Sequence, residues 1–308
     1  MVGGANLKNN SNKNKIRSGK SDRVFYAVVA MILIFLCLIV IYPIIYVVAA
    51  SFSSSAAVTE GKVWVYPVDF TVEAYKAVFR YRDIWIGYRN TILYTLFGTC
   101  LNVMMAMVCA YPMSRKDLPG KNIFSFFFAF TMLFSGGMIP NYLLVKNLGM
   151  LNSPLAVIIP GAMSVYNMIV AKNFIQTNIP LELLEAAKID GCSDVRFFFS
   201  IVLPLSKAII AVLALWHAVG HWNSYFSAFL YITDKNLYPL QVFLKEILVQ
   251  SNIDTEIVGN VADAIAMQNI KQLLKYAIIV VSTVPLFSFY PFFQKYFVKG
   301  VTVGSVKG

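Results

Sequence analysis

Charge is what this chain has least of. Asp, Glu, Lys and Arg make up 13% of its 308 residues while 58% are apolar, and soluble domains carry about twice that charged share. A water-soluble fold with a charged shell is excluded. Histidine occurs twice, which leaves little for a metal or acid–base cluster. The four cysteines, Cys37, Cys100 and Cys109 in apolar stretches and Cys192 in a polar one, provide no disulfide framework and read as free thiols. No G-x-x-x-x-G-K-[ST] phosphate cradle occurs anywhere.

Six stretches contain no charged residue at all: Val24–Thr59, Asn90–Ser114, Asn122–Val145, Asn147–Ala171, Ala208–Thr233 and Tyr276–Gln294. Each is long enough to cross a hydrocarbon core of about 30 Å as a helix of roughly 20 residues. The expected fold class is therefore an all-α integral membrane protein with six transmembrane helices. Residues 1–23 form a basic, polar tail that reads as disordered, 24–59 the first span, 60–89 an outer loop, 90–295 a core with the other five spans, and 296–308 a second tail. A cleavable leader has an apolar region of about 7–15 residues, and Val24 to Ala50 is too long for that.

Basic residues set the orientation. With the N-terminus inside, the inner segments carry 16 of the 26 Lys and Arg and 6 of the 15 acids. The outer segments carry 10 basic and 9 acidic residues, so the excess follows the positive-inside rule and places both termini in the cytoplasm. The formal charge of +11 belongs to this topology and implies no nucleic-acid partner. Aromatic residues of the first outer loop, among them Trp64, Tyr66 and Trp85, read as interfacial anchors in contact with lipid. Span three is expected to end near Pro140. Pro154 and Pro160 predict an irregular entry or a kink in the fourth run, and Leu240–Val249 has helical spacing in the second large outer segment. Phe134-Ser135-Gly136-Gly137 lies in a charge-free run, where small residues permit close packing or a bend.

One segment is different in kind. Residues 180–204 are polar and read as helix, turn, helix. Pro180 stands near the start, Gly191 follows Asp190 where a left-handed stop is needed, Ser193 offers an N-cap with Asp194 in the first turn, and Pro204 closes the second piece. Solvated helix charge is the default reading of Glu185, Asp190 and Asp194, which form no catalytic set. The order Glu185-Ala186-Ala187, three residues, Gly191, nine residues, Ile201-x-Leu203-Pro204 resembles the EAA loop of ABC importer permeases. The likeness extends through Ser135–Tyr142, Pro160-Gly161, Asn173-Phe174, Gly220–Asn223, Tyr238–Gln241 and Gln294–Gly300 to the MalG-type carbohydrate permeases, and most of all to the LplC-like group associated with uronate-containing oligosaccharides. It covers roughly Tyr26 to Gly308.

That resemblance implies the type-1 permease fold in the cytoplasmic membrane of a prokaryote. It also implies a second homologous permease forming a heterodimer, two ATPase subunits that bind the ATP, and an extracytoplasmic solute-binding protein. The chain itself would hold no cofactor and catalyse no covalent step. Glu185 would meet a basic residue of the ATPase, Ala186 and Ala187 would allow close approach, and Gly191 would set the angle between the two pieces.

His217 and His221 lie one helical turn apart, a spacing that two imidazoles need to share a metal, but the run provides no further ligand and lining or packing is favoured. With Trp222, Asn223 and Tyr225 they form the most polar and aromatic part of span five, the candidate translocation pathway. Packing plus an outer aromatic belt is the competing reading. A secondary transporter or channel independent of an ATPase stands as the alternative function, and the uncharged spans speak against it. A membrane scaffold without transport is a third possibility.

Overall fold

A computed structural model describes residues 19–250, 273–288 and 291. The tail before residue 19, the acids Asp254, Glu256 and Asp263, and the C-terminal Lys295, Lys299 and Lys307 lie outside the described residues.

The described secondary structure is helical throughout. Helix α1 (Lys20–Ser51) is apolar on every side, and no residue of its most apolar stretch is buried. Only its end packs, where Ala49 and Ala50 meet Ala57 and Val63. The first charge-free run therefore stops as a helix at Ser51, and its remainder forms the short α2 (Ser55–Thr59), capped by the Ser54 hydroxyl accepting from the Ala57 amide at 3.2 Å. After α3 (Glu73–Arg80) comes α4 (Arg82–Ser114), which begins eight residues before the charge-free run does. α4 is the spine of the bundle and packs mainly against the later helices α8 and α12. Ala106 and Ala110 on α4 and Ala171 on α8 are fully buried, and such small side chains let helices approach closely.

Three of the other runs are interrupted. The third is α5 (Lys121–Leu133) and α6 (Met138–Asn147), bent by 112° at Phe134–Gly137, where Gly137 takes φ 88°. Pro140 falls in the first turn of α6, just after the bend, where an N-terminal turn lacks partners for its N–H groups anyway. The fourth is α7 (Leu155–Ile158) and α8 (Val165–Asn178), separated by a break at Pro160-Gly161 as the prolines predict. After the segment 181–205 the fifth follows as α12 (Lys207–Trp222) and α13 (Phe226–Tyr231).

That intervening segment comprises α9 (Leu181–Ile189), α10 (Asp194–Phe197), a π-turn at Phe198–Val202 and α11 (Leu203–Leu205). The π-turn has a local cause. Pro204 donates no amide hydrogen, and in a regular α-helix its ring would crowd the carbonyl of Ser200 one turn back, so the helix widens there. A 79° bend at Ser206, rather than Pro204 itself, ends the element. Beyond a short 3₁₀ turn, α14 (Leu240–Gln250) has the helical form expected from the spacing of Leu240–Val249, and α15 (Leu273–Ser288) follows. α14 is fastened to α4 by the Leu240 amide donating to Thr91 Oγ1 at 2.8 Å.

By length and composition alone, α1 and α4 are able to cross a membrane, and up to four spans result if the bent pairs Lys121–Leu133 with Met138–Asn147 and Asp194–Leu205 with Lys207–Trp222 each count as one. The main core joins α4, α8 and α12 to Ala187, Phe197, Phe198 and Val202. The polar segment is thus seated on the bundle by its own apolar face.

Candidate functional site

Local chemistry shapes the 181–205 hairpin. Gly191 has φ 70°, its N–H bonds to the Lys188 carbonyl at 3.1 Å, and the Cys192 N–H bonds to the Ala187 carbonyl at 2.8 Å. This pair of bonds is the Schellman stop, which needs a residue free to adopt a left-handed backbone. Ser193 then caps α10 by accepting from the Arg196 amide at 3.3 Å. Glu185, Ala186 and Asp190 are exposed, whereas Ala187 is turned into the chain's own core, leaving Ala186 as the surface alanine. Ile201 and Leu203 are half-buried and Pro204 is exposed. Ile189, 87% exposed, is an apolar side chain at the tip.

Asp194 departs from the expected free charge: it pairs with Arg115 at the end of α4. Arg115 also binds Asp117, donates to the Tyr111 hydroxyl at 3.0 Å, and is only 11% exposed along its side chain. Lys188 of α9 reaches the same Asp117 at 3.2 Å. Hydrogen bonding to Asp117 pushes the Arg115 pKa further up, and the same contact, helped by Lys188, holds the Asp117 carboxyl well below the usual carboxylate range. Sequence reasoning missed this cluster. The signal available was a basic turn at 115–121 and an acidic loop at 180–204 on the same predicted side.

The pathway candidates separate. His221 Nε2 lies 2.7 Å from Asn102 Oδ1, while Asn102 Nδ2 donates to the Gly161 carbonyl at 2.6 Å. Because that amide nitrogen is already donating, the oxygen accepts and His221 carries its proton on Nε2. His217 Nε2 is 2.9 Å from Asn167 Nδ2 and accepts, so it holds the opposite tautomer. Each imidazole is thus held by an amide on a different helix instead of both turning to one point. Gly98 makes room for the first contact: a Cβ there would lie 2.5 Å from the His221 ring. Beside Asn167 and His217, the exposed rings of Tyr166 and Trp216 stand 6.2 Å apart.

Trp222 is a core residue, 6% exposed, with its indole N–H donating to the Ser282 carbonyl of α15 at 3.0 Å. Asn223 caps α12 and is exposed, its amide donating to the Val219 carbonyl. Tyr225 receives a hydrogen bond from Lys245 at 3.0 Å, and that ammonium also lies 4.2 Å from the ring centre.

Residues 84–303 match the family described as "Binding-protein-dependent transport system inner membrane component". The chain belongs to this family. The matched stretch starts inside α4, so the permease's spine, its hairpin and both histidines fall within it, while α1–α3 precede it. The permease is 42% identical over 291 residues to the polygalacturonan/rhamnogalacturonan transport system permease protein YtcP of Bacillus subtilis, covering 93% of this chain and 99% of that one. It is 40% identical over 289 residues to Protein LplC of the same organism, covering 94% and 97%. A solved bacterial ABC transporter involved in the import of the acidic polysaccharide alginate contains a chain 35% identical to it, with a TM-score of 0.81 over 91% of this chain and 99% of that one. This chain is accordingly a permease subunit of an ABC importer.

Proposed function

We propose that this permease translocates an oligosaccharide containing uronate units across the prokaryotic cytoplasmic membrane. The observation that carries this reading is the joint likeness to a polygalacturonan/rhamnogalacturonan permease and to a chain of an importer of an acidic polysaccharide. In this reading the chain is a six-span type-1 permease, with α1, α4, α5–α6, α7–α8, α12–α13 and α15 as spans and both termini in the cytoplasm. It works beside a second, homologous permease, two ATPase subunits and an extracytoplasmic solute-binding protein. ATP is bound by the ATPase partners, in keeping with the lack of a phosphate cradle in this chain, which itself holds no cofactor.

The 181–205 hairpin is the EAA loop and docks the ATPase through Glu185, Ala186, Asp190 and the protruding Ile189. ATP-driven closure of the partners moves the hairpin and rocks the spans between outward and inward states, which requires partner contacts that differ in free energy between the two. The pathway follows the face of α8 and α12 that carries Tyr166, Trp216 and His217. Asn223 and Tyr225 lie at its outer mouth, His221 braces the wall, and Trp222 supports it from the core.

Uptake in vesicles containing the whole transporter tests the assignment. A galacturonate oligosaccharide presented by the cognate binding protein is expected to accumulate only with ATP inside and the binding protein outside. Accumulation of neutral oligosaccharides in its place would remove the uronate assignment, and uptake without the ATPase would remove the transport mechanism.

A further inference from the structure

The end of α4 is where the hairpin meets the bundle, and the ion pairs concentrate there. Three of the four among the described residues involve Arg115, Asp117, Lys188 and Asp194, and the fourth, Lys62–Glu60, joins near neighbours in sequence. Their arrangement relative to Gly191 is the informative point. Lys188 lies on α9, before the turn, and Asp194 lies on α10, after it. Lys188 reaches Asp117, Asp194 reaches Arg115, and Arg115 binds Asp117. Both limbs of the hairpin are therefore held by the same short stretch that caps α4.

That stretch is itself anchored. Gln176 of α8 donates to the Ser114 carbonyl at 2.9 Å, and Lys121 of α5 donates to the Arg115 carbonyl at 2.7 Å. One turn back, the Tyr111 ring lies 6.2 Å from Phe197 and 5.4 Å from Phe198. Arg115 holds Asp117 bidentately through Nε and Nη2 and reaches Asp194 and Tyr111 through Nη1, and such a planar guanidinium fixes orientation as well as distance, which a lysine ammonium does not. The other attachments of the hairpin to the bundle include two chain connections, and one of these is the 79° bend at Ser206.

We propose that Arg115 is the positioning residue through which the hairpin moves α4. It grips Asp117 and Asp194 together, so that the two limbs and the spine of the bundle shift as one body. Because α4 packs against α8, α12 and α14, displacement of this one helix end reaches the wall of the pathway. The proposal rests on the reading of the hairpin as an ATPase dock.

The test uses the complete transporter in vesicles and reads galacturonate oligosaccharide transported per ATP hydrolysed. Arg115→Gln is expected to lower that ratio at least about fivefold, the lower end of ordinary coupling between sites, while the ATPase still co-purifies. Arg115→Lys is expected to recover part of the loss. Arg115→Gln combined with Asp194→Asn should fall no lower than Arg115→Gln alone, because the two groups act through one contact. A wild-type ratio in Arg115→Gln, or losses that multiply in the double variant, overturns the proposal. Should Arg115→Gln not assemble, Asp194→Asn decides alone: a lowered ratio supports the clamp and an unchanged one refutes it. Failure of the unaltered permease to retain the ATPase identifies the docking reading as the part that is wrong.

Discussion

The two sets of polar contacts that fasten this permease differ in chemistry. Where α4 meets α8 and α12 around Asn102 the partners are neutral: the Asn102 amide, the His221 ring and the Gly161 carbonyl, with Asn167 and His217 nearby. At the hairpin the partners are ions, Arg115, Asp117, Lys188 and Asp194. An ionised side chain at the centre of a bilayer costs several kcal/mol, whereas a neutral hydrogen bond there is worth about 1 kcal/mol and meets no competition from water. Ion pairs at an aqueous face are screened by salt and re-form easily. Neutral contacts therefore suit a joint that keeps helices in register, and ionic ones suit a contact that must transmit movement and survive it.

The comparison breaks most readily at Asn102. Asn102→Leu takes the Asn102 donor from the Gly161 carbonyl and the Asn102 acceptor from the His221 ring, at about 1–3 kcal/mol for a buried group left unpaired. A clear fall in thermal unfolding temperature of the detergent-purified transporter is expected, and an unchanged one would show that the neutral network is not a joint. Gly98→Ala attacks the same joint from the side. Its methyl would sit 2.5 Å from the His221 ring, so the ring must move off Asn102 at about 1–3 kcal/mol. Because both changes break one contact, Asn102→Leu and Gly98→Ala together should lose less than the sum of their separate effects, and full additivity in the same unfolding assay would argue against a shared contact.

The smallest effect expected is that of pH on the ionic clamp. Arg115, and secondarily Lys188, depress the Asp117 pKa in the folded protein. Its stabilising contribution is then fully present above the unfolded value of about 3.9 and is lost as pH falls through the lower folded value. Unfolding measured between about pH 5 and 8 should show no pH dependence attributable to this group. A dependence in that window that disappears in Asp117→Asn would contradict the ionic description.

What was legible in the sequence was what neighbours in the chain decide. Gly191 as a left-handed stop, Ser193 as a cap and the break at Pro160-Gly161 all follow from residues within one or two turns. The interruption of the fifth charge-free run did not follow, and that of the third stood only as one option beside close packing, because absence of charge reports the surroundings of a segment and not its continuity. Local signals inside those runs, Gly136-Gly137 and Asn223-Ser224, mark the interruptions. The fasteners were not legible either. Asn102 meets Gly161 and His221 across 59 and 119 residues, and Arg115 meets Asp194 across 79. Such pairs are created by helix packing, which no spacing rule encodes.

The bare flank of α1 has a consequence for how the molecule is made. A helix with no residue of its most apolar stretch buried against the described remainder of its chain waits on none of the later segments for cover: it can settle on entering lipid while they are still being synthesised. α4 has the opposite history. It enters with Asn102 on board and must hold that amide among hydrocarbon until Gly161 and His221 have emerged. The hazardous interval of biogenesis is thus the one between α4 and α12, when a nascent spine carries polar side chains whose partners do not yet exist.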